Sequence, residues 1–271
     1  MLQRFLLKCI TYKKDSGSLI YALLNKFNKN KFPRKLLVSK NSKYFNHSAR
    51  RINRIMSGKE FSYLEIGVAN GTTLESVKAS EKHGVDPFPT FNTRDLPSGT
   101  HFYKSTSDNF FSSLEKSKKF DFIFLDGLHE FKQLARDFRN ALQHINNPGW
   151  ILIDDIVPSD SISAIPSIEL SYKTRGVEAN EGFPWHGDCY KILPIILNSF
   201  SNMQPYLIIY PDNPQLLLKI TQPIDNTTID QFETPKLFEY SQVFSSKNLK
   251  TFPLYIEDLL MNELSINGSI E

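Results

Sequence analysis

Two apolar runs in the chain end in acid. Phe120-Asp121-Phe122-Ile123-Phe124-Leu125 is followed by Asp126, and Trp150-Ile151-Leu152-Ile153 by Asp154-Asp155. Short runs of this composition read as buried strands. If the two are parallel neighbours, Asp126, Asp154 and Asp155 meet at one rim. Three carboxylates there repel one another unless a cation joins them. Hard oxygen donors with room for water and substrate suit Mg²⁺ or another small divalent cation such as Mn²⁺. Helix caps and solvated turn residues are the plain alternative for acids at strand ends. His129 follows Asp126 by three residues and would face the same mouth. A neutral imidazole there could take a hydroxyl proton near neutral pH, the alternative being a surface or capping histidine.

A second group of residues surrounds a glycine turn, Glu65-Ile66-Gly67-Val68-Ala69-Asn70-Gly71, placed between an apolar run and a helical stretch. Such a turn puts backbone N–H groups around a ligand. Gly67 would allow a ligand to approach, and Gly71 would let the next helix pack on its strand. Ala69 stands where a dinucleotide fingerprint needs its second glycine, so a pyrophosphate loses its best approach. Glu65 is awkward beside phosphate and suits a cationic ligand. His83-Gly84-Val85-Asp86-Pro87 follows, and an acid ending the second strand can hold both hydroxyls of a ribose. Together these features indicate a nucleoside bound at the carboxyl ends of a parallel sheet. Further on, Trp185-His186-Gly187-Asp188-Cys189-Tyr190-Lys191 offers Trp185 to stack on a sugar face, and His186, Asp188 and Lys191 to grip a hydroxylated or anionic acceptor. A helix start capped by Asp188, with Lys191 as its solvated partner, is an equal reading.

The elements that must hold these groups alternate from Phe61 onward. Apolar runs Phe61–Ile66, Gly84–Asp86, His101–Lys104, Phe120–Leu125 and Trp150–Ile153 are separated by amphipathic stretches. Phe131, Leu134, Phe138, Leu142 and Ile145 mark the buried face of one helix, which Asn147-Pro148-Gly149 should end. Pro158 to Trp185 reads as a long surface excursion. Tyr206–Tyr210 and Leu216–Ile220 flank a Pro- and Asn-rich turn, so the last two strands should be antiparallel neighbours. The expected fold is α/β: a Rossmann-like, seven-stranded, mostly parallel sheet with helices on both faces and an antiparallel last strand. Three segments are expected: a basic helical arm over 1–58, the α/β domain over 59–220, and an extension of unassigned role over 221–271. The 271 residues, 40% hydrophobic, can build one sizeable core.

Charge is unevenly placed. Residues 1–60 carry fifteen Lys or Arg against two acids, a net of +13, and the remainder carries −10. The arm reads as a helical cap packed on the acidic body through complementary charge, as a weak peripheral contact with anionic lipid, or as a nucleic-acid contact. No recognised nucleic-acid-binding motif supports the last, and none is expected. The sequence has no apolar run of about 18 residues, which a membrane-spanning helix requires. Cys9 and Cys189 cannot build a disulfide framework, and a reducing, cytoplasmic setting is expected. Oligomeric state is left open.

The glycine turn and Asp86 resemble the class I S-adenosylmethionine-dependent methyltransferases. That resemblance implies Glu65 and Gly67 at the methionine end, Asp86 at the ribose, and Ser107-Asp108 near the adenine, where a helix N-cap is the competing reading. Ala69, Gly71 and Asp126 complete the expected donor site. The acid pattern is similar to that of metal-dependent O-methyltransferases of the catechol type, with Asp126, then Asp154-Asp155, and His129 at the base position. Sugar O-methyltransferases acting on macrolide glycosides also carry His there. The closer resemblance is to the bacterial methyltransferase family 24-like proteins, through Tyr63–Gly67, Gly84–Pro87, Asp126–His129 and Gly187–Lys191, over roughly residues 50–220. It implies methyl transfer to a hydroxyl of a sugar, glycan or glycosylated small molecule. Asp126, Asp154 and Asp155 would hold the divalent cation, and His129 would be the general base. A nicotinamide-dependent oxidoreductase and a non-catalytic binding protein on the same fold are the rivals.

Overall fold

A computed structural model of the chain describes residues 46–176, 184–199, 202–210, 213–224, 238–249 and 251–267. Most of the basic arm lies outside the described residues. Its last part forms helix α1 (His47–Ile55). Asn46 caps this helix by accepting the Ala49 N–H at 2.8 Å, and Ala49 and Ile52 are buried on one side.

Eight strands form one sheet in the order β3-β2-β1-β4-β5-β7-β6-β8. They are β1 (Ser62–Ile66), β2 (Glu81–Val85), β3 (Thr100–Tyr103), β4 (Phe120–Leu125), β5 (Ile145–Ile153), β6 (Met203–Tyr210), β7 (Gln215–Ile220) and β8 (Leu254–Ile256). β1 to β5 are parallel, β7 is antiparallel to both β5 and β6, and β8 pairs parallel to β6. The sheet thus has one strand more than the seven expected. The addition comes from the C-terminal stretch, where Leu254–Ile256 is too short to stand out by periodicity.

Alternation along the strands builds a core on each face. Leu64, Ile123 and Leu125 turn to one side with α3 (Ser107–Ser113), α4 (Phe131–His144) and α6 (Ile192–Ser199). Tyr63, Phe122 and Phe124 turn to the other with α1, α2 (Thr72–Ser76) and the C-terminal helix α9 (Glu257–Asn267), which follows the short α7 (Tyr240–Val243) and α8 (Ser246–Leu249). One boundary differs from the sequence reading. α4 ends at His144, and Ile145 opens β5 opposite Phe120. Ile145 fits the helical period, but pairing with β4 claims it, and Asn147-Pro148-Gly149 lies inside the strand. The stretch after Pro158, expected as a surface excursion, contains helix α5 (Ile168–Arg175).

Candidate active site

β1 and β4 are neighbours whose connections leave toward opposite ends of the sheet, and such a switch point leaves a crevice at the carboxyl ends. Gly67 lies there with φ +87°. A Cβ on Gly67 would sit 1.9 Å from the Asp126 carbonyl oxygen, so this glycine lets the loops after β1 and β4 touch. A side chain at this position would strike backbone, whereas the sequence reading had Gly67 making room for a ligand. Ala69 holds a left-handed φ of +47°, fixed by its N–H donating to Asp86 Oδ2 at 2.8 Å. Gly71, φ +80°, begins α2, but close packing of that helix depends on Gly84. A Cβ on Gly84 would meet Leu74 at 2.6 Å.

The crevice opens into a cavity of about 1080 Å³, lined among others by Glu65, Ala69, Asp86, Ser107, Asp108 and Asp126. Gly67, His129 and Asp154 also reach it; Gly71 does not line it. Glu65 is 1% exposed and accepts the Tyr63 hydroxyl at 2.7 Å. Burial pushes its carboxyl up to about 8. Asp86 accepts the N–H groups of Ala69 and Phe88, one on each oxygen. The cap of α3 is Thr106, leaving Ser107 and Asp108 to accept from Gln133 at 3.0 and 3.2 Å. Asn46, His47, Ser48 and Asn213 also line the cavity, and sequence reasoning missed all four. Asn46 is of the type that caps a helix, but nothing local says that α1 reaches the crevice.

At the rim, Asp126, His129 and Asp155 each offer a donor atom, and these atoms lie within 4.8 Å of one another. His129 Nε2 is 2.9 Å from Asp155 Oδ2 and 3.8 Å from Asp126 Oδ1. Its Nδ1 donates to the Trp185 carbonyl at 3.0 Å. Asp154, expected in this set, has other partners. It accepts the Asp155 N–H at 2.8 Å, Asn213 Nδ2 at 3.1 Å and Gln215 Nε2 at 2.9 Å. Burial, and then the charges of Asp154 and Asp155, push the Asp126 carboxyl well above the usual range. Burial disfavours the His129 cation, but the hydrogen bond and charge of Asp155 outweigh it, and the imidazole is raised. Two carboxylates and an imidazole whose donor atoms lie this close together are a ligand set that fits a divalent cation.

The Trp185–Lys191 stretch braces His129 from behind. The Trp185 ring stacks on the His129 ring, centroids 5.1 Å apart, and its Nε1 donates to the Ile165 carbonyl. Gly187 has φ +59°, and a Cβ there would sit 1.7 Å from the His129 carbonyl oxygen. Asp188 accepts the Phe131 N–H at 2.6 Å, capping α4 from across space, and Lys191 donates to Asp188 at 2.8 Å. Trp185, Asp188 and Lys191, read as acceptor contacts, therefore spend their polar atoms within the fold. His186 lies nearer the mouth, its Nε2 3.9 Å from Asp155 Oδ1.

A buried relay backs Asp154. Fully buried Arg51 donates to Glu257 Oε2 at 2.9 Å, to Gln215 Oε1 at 2.6 Å and to the Asn213 carbonyl at 2.6 Å. Gln215 passes its Nε2 hydrogens to Ser48 and Asp154. Arg50 and Arg54 also pair with Glu257, and Arg54 with Asp258. The last basic residues of the arm thus meet acids of the C-terminal helix.

With this geometry in place, residues 64–156 match the family model Methyltransf_24, described as a methyltransferase domain. The match spans 93 of the 271 residues, and what it matches is a methyltransferase domain. No curated protein matches the chain. Solved structures similar to it include a putative O-methyltransferase from Klebsiella pneumoniae (10% identity, 82% of this chain and 96% of that one, TM-score 0.43). Another is an O-methyltransferase from Bacillus cereus in complex with S-adenosylhomocysteine (10% identity, 81% and 96%, TM-score 0.43). A third is the MycE methyltransferase of the mycinamycin biosynthetic pathway with Mg, S-adenosylhomocysteine and mycinamycin VI (13% identity, 79% and 57%, TM-score 0.44). The crevice, a cavity of about 1080 Å³, has Asp86 just after β2 and no glycine at 69 for a pyrophosphate. No helix among the described residues is long and apolar enough to cross a membrane.

Proposed function

We propose that the protein methylates a hydroxyl of a sugar, glycan or glycosylated small molecule, with a divalent cation held at the rim and His129 as general base. The observation that carries this reading is the placement of His129. The Trp185 carbonyl holds Nδ1 as a donor, and Nε2 faces Asp155 and the mouth; a cation drawing on Asp126 and Asp155 would free Nε2 in its neutral form to take an acceptor's proton. Asp155 at 2.9 Å would steady the imidazolium that results.

S-adenosylmethionine supplies an electrophilic methyl group, so the protein's own task is to orient the donor and deprotonate the acceptor. Glu65 and Gly67 would face the methionine end, Asp86 the ribose, and Ser107 with Asp108 the adenine. Asp126 and Asp155 would hold the cation, with Asp154 behind them. A cation there lowers the cost of removing the hydroxyl proton. His186, near Asp155, is the residue of the Trp185–Lys191 stretch best placed to meet an acceptor. Buried, unpaired Cys189 suits a reducing, cytoplasmic setting. The left-handed Ala69 bound to Asp86 favours this reading over a nicotinamide dinucleotide.

The test is methyl transfer from labelled donor to a panel of methyl glycosides and catechols, with Mg²⁺ and S-adenosylhomocysteine binding measured alongside. His129→Ala should keep S-adenosylhomocysteine affinity and lose roughly 10²–10⁴-fold in turnover; unchanged turnover removes the base. Asp86→Ala should weaken S-adenosylhomocysteine binding. The grouping of His129 with Asp126 and Asp155 favours a second reading, in which His129 is itself a metal ligand. Loss of Mg²⁺ affinity in His129→Ala would select it.

A further inference from the structure

We propose a second cation site, of zinc type, at the open edge of the sheet, formed by Glu81, His83 and His101. Residues two apart on a strand share a face, so Glu81 and His83 of β2 point the same way. In the β2–β3 register His83 stands opposite His101, and their rings lie 4.8 Å apart. β3 is the last strand on this side. Each of the three residues offers a donor atom, all within 4.8 Å of one another. None of them lines the methyltransferase cavity, so the site stands apart from the Asp126 rim.

His83 is buried and its orientation is set. Nε2 lies 2.7 Å from Glu81 Oε1, and Nδ1 lies 3.1 Å from the Tyr103 hydroxyl. A partner on the second ring nitrogen is the support that ligating imidazoles regularly carry.

Two imidazoles and one carboxylate favour Zn²⁺, Co²⁺ or Ni²⁺ over Mg²⁺. Donors around tetrahedral zinc stand about 3.4 Å apart, so the set must draw in. The exposed His101 on an edge strand is free to make that movement. Lys118 Nζ, 2.6 Å from Glu81 Oε1, occupies the carboxylate without a metal and would swing to solvent when one binds. The bound ion would tie β3 to β2, with an open position left for water.

Metal-free protein is titrated with Zn²⁺ by calorimetry and with Co²⁺ by visible absorption, in wild type, His101→Ala and Lys118→Met. Wild type should bind one equivalent more than His101→Ala, since the Asp126 rim is common to both. Lys118→Met, lacking the competing cation, should bind that equivalent several-fold more tightly. His101→Gln repeats the loss if the alanine variant is unstable. Equal stoichiometry and affinity in wild type and the His101 variants would overturn the site. Lack of any gain in Lys118→Met would remove Glu81 from the ligand set.

Discussion

Glu65 carries a proton in the folded protein that it loses in the unfolded chain. Its ordinary value is 4.5, and burial raises it to about 8. Between those values unfolding releases a proton, so Glu65 makes the fold less stable as pH rises from 4.5 to 8. Glu65→Gln, neutral throughout, keeps an acceptor for the Tyr63 hydroxyl and escapes that loss. The variant's gain in melting temperature should therefore be small below pH 4.5, grow across the window and level off above pH 8. A gain that does not vary with pH in thermal scans would show that Glu65 is ionised in the fold. At the same scale, Gly187→Ala should impair turnover with little change in S-adenosylhomocysteine affinity. Its Cβ would press on the His129 backbone, not on the donor cavity; turnover assays with and without the substitution check it.

Elements far apart in the chain converge on Asp154. α1 supplies Arg51, β7 supplies Gln215, and α9 supplies Glu257, with Arg51 and Glu257 separated by 206 positions. Removing one partner of a buried ion pair costs about 3–5 kcal/mol. Arg51→Met should destabilise the protein by the lower end of that range, about 3 kcal/mol, because Arg50 and Arg54 still face Glu257. Urea unfolding measures it. None of this was legible in sequence. Arg51 sits in a run of basic residues, and its charge pattern gave only a net attraction to an acidic body. By contrast β4 and α4 were plain, because Ile123, Leu125, Phe131, Leu134 and Phe138 repeat at the period of their own element. Ile145 shows the limit: it satisfies the helical period of α4 and the strand pairing of β5, and only the neighbouring strand decides between them.

For the whole molecule, the C-terminal segment completes the structure. β8 covers the edge of β6, and α9 packs Leu260 and Met261 into the core that holds α1. A chain ending at residue 250 would expose that strand edge, uncover apolar surface and leave Arg51 without its carboxylate. It should be aggregated or unfolded by size-exclusion chromatography and circular dichroism; a folded monomer would show that residues 251–271 are dispensable.

The sequence alone determined the α/β alternation, the acids ending β4 and β5, the glycine turn with Asp86, and the acid–histidine spacing. Each is written within a few consecutive residues, where hydrophobic period and turn chemistry act. Tertiary structure decided which partner each group keeps: His129 beside Asp155, Asp154 turned to Gln215, Gly67 against Asp126, Trp185 behind the imidazole. Those choices follow from distances between segments remote in the chain. A side chain's local pattern says that it is buried or exposed, but not what it will meet.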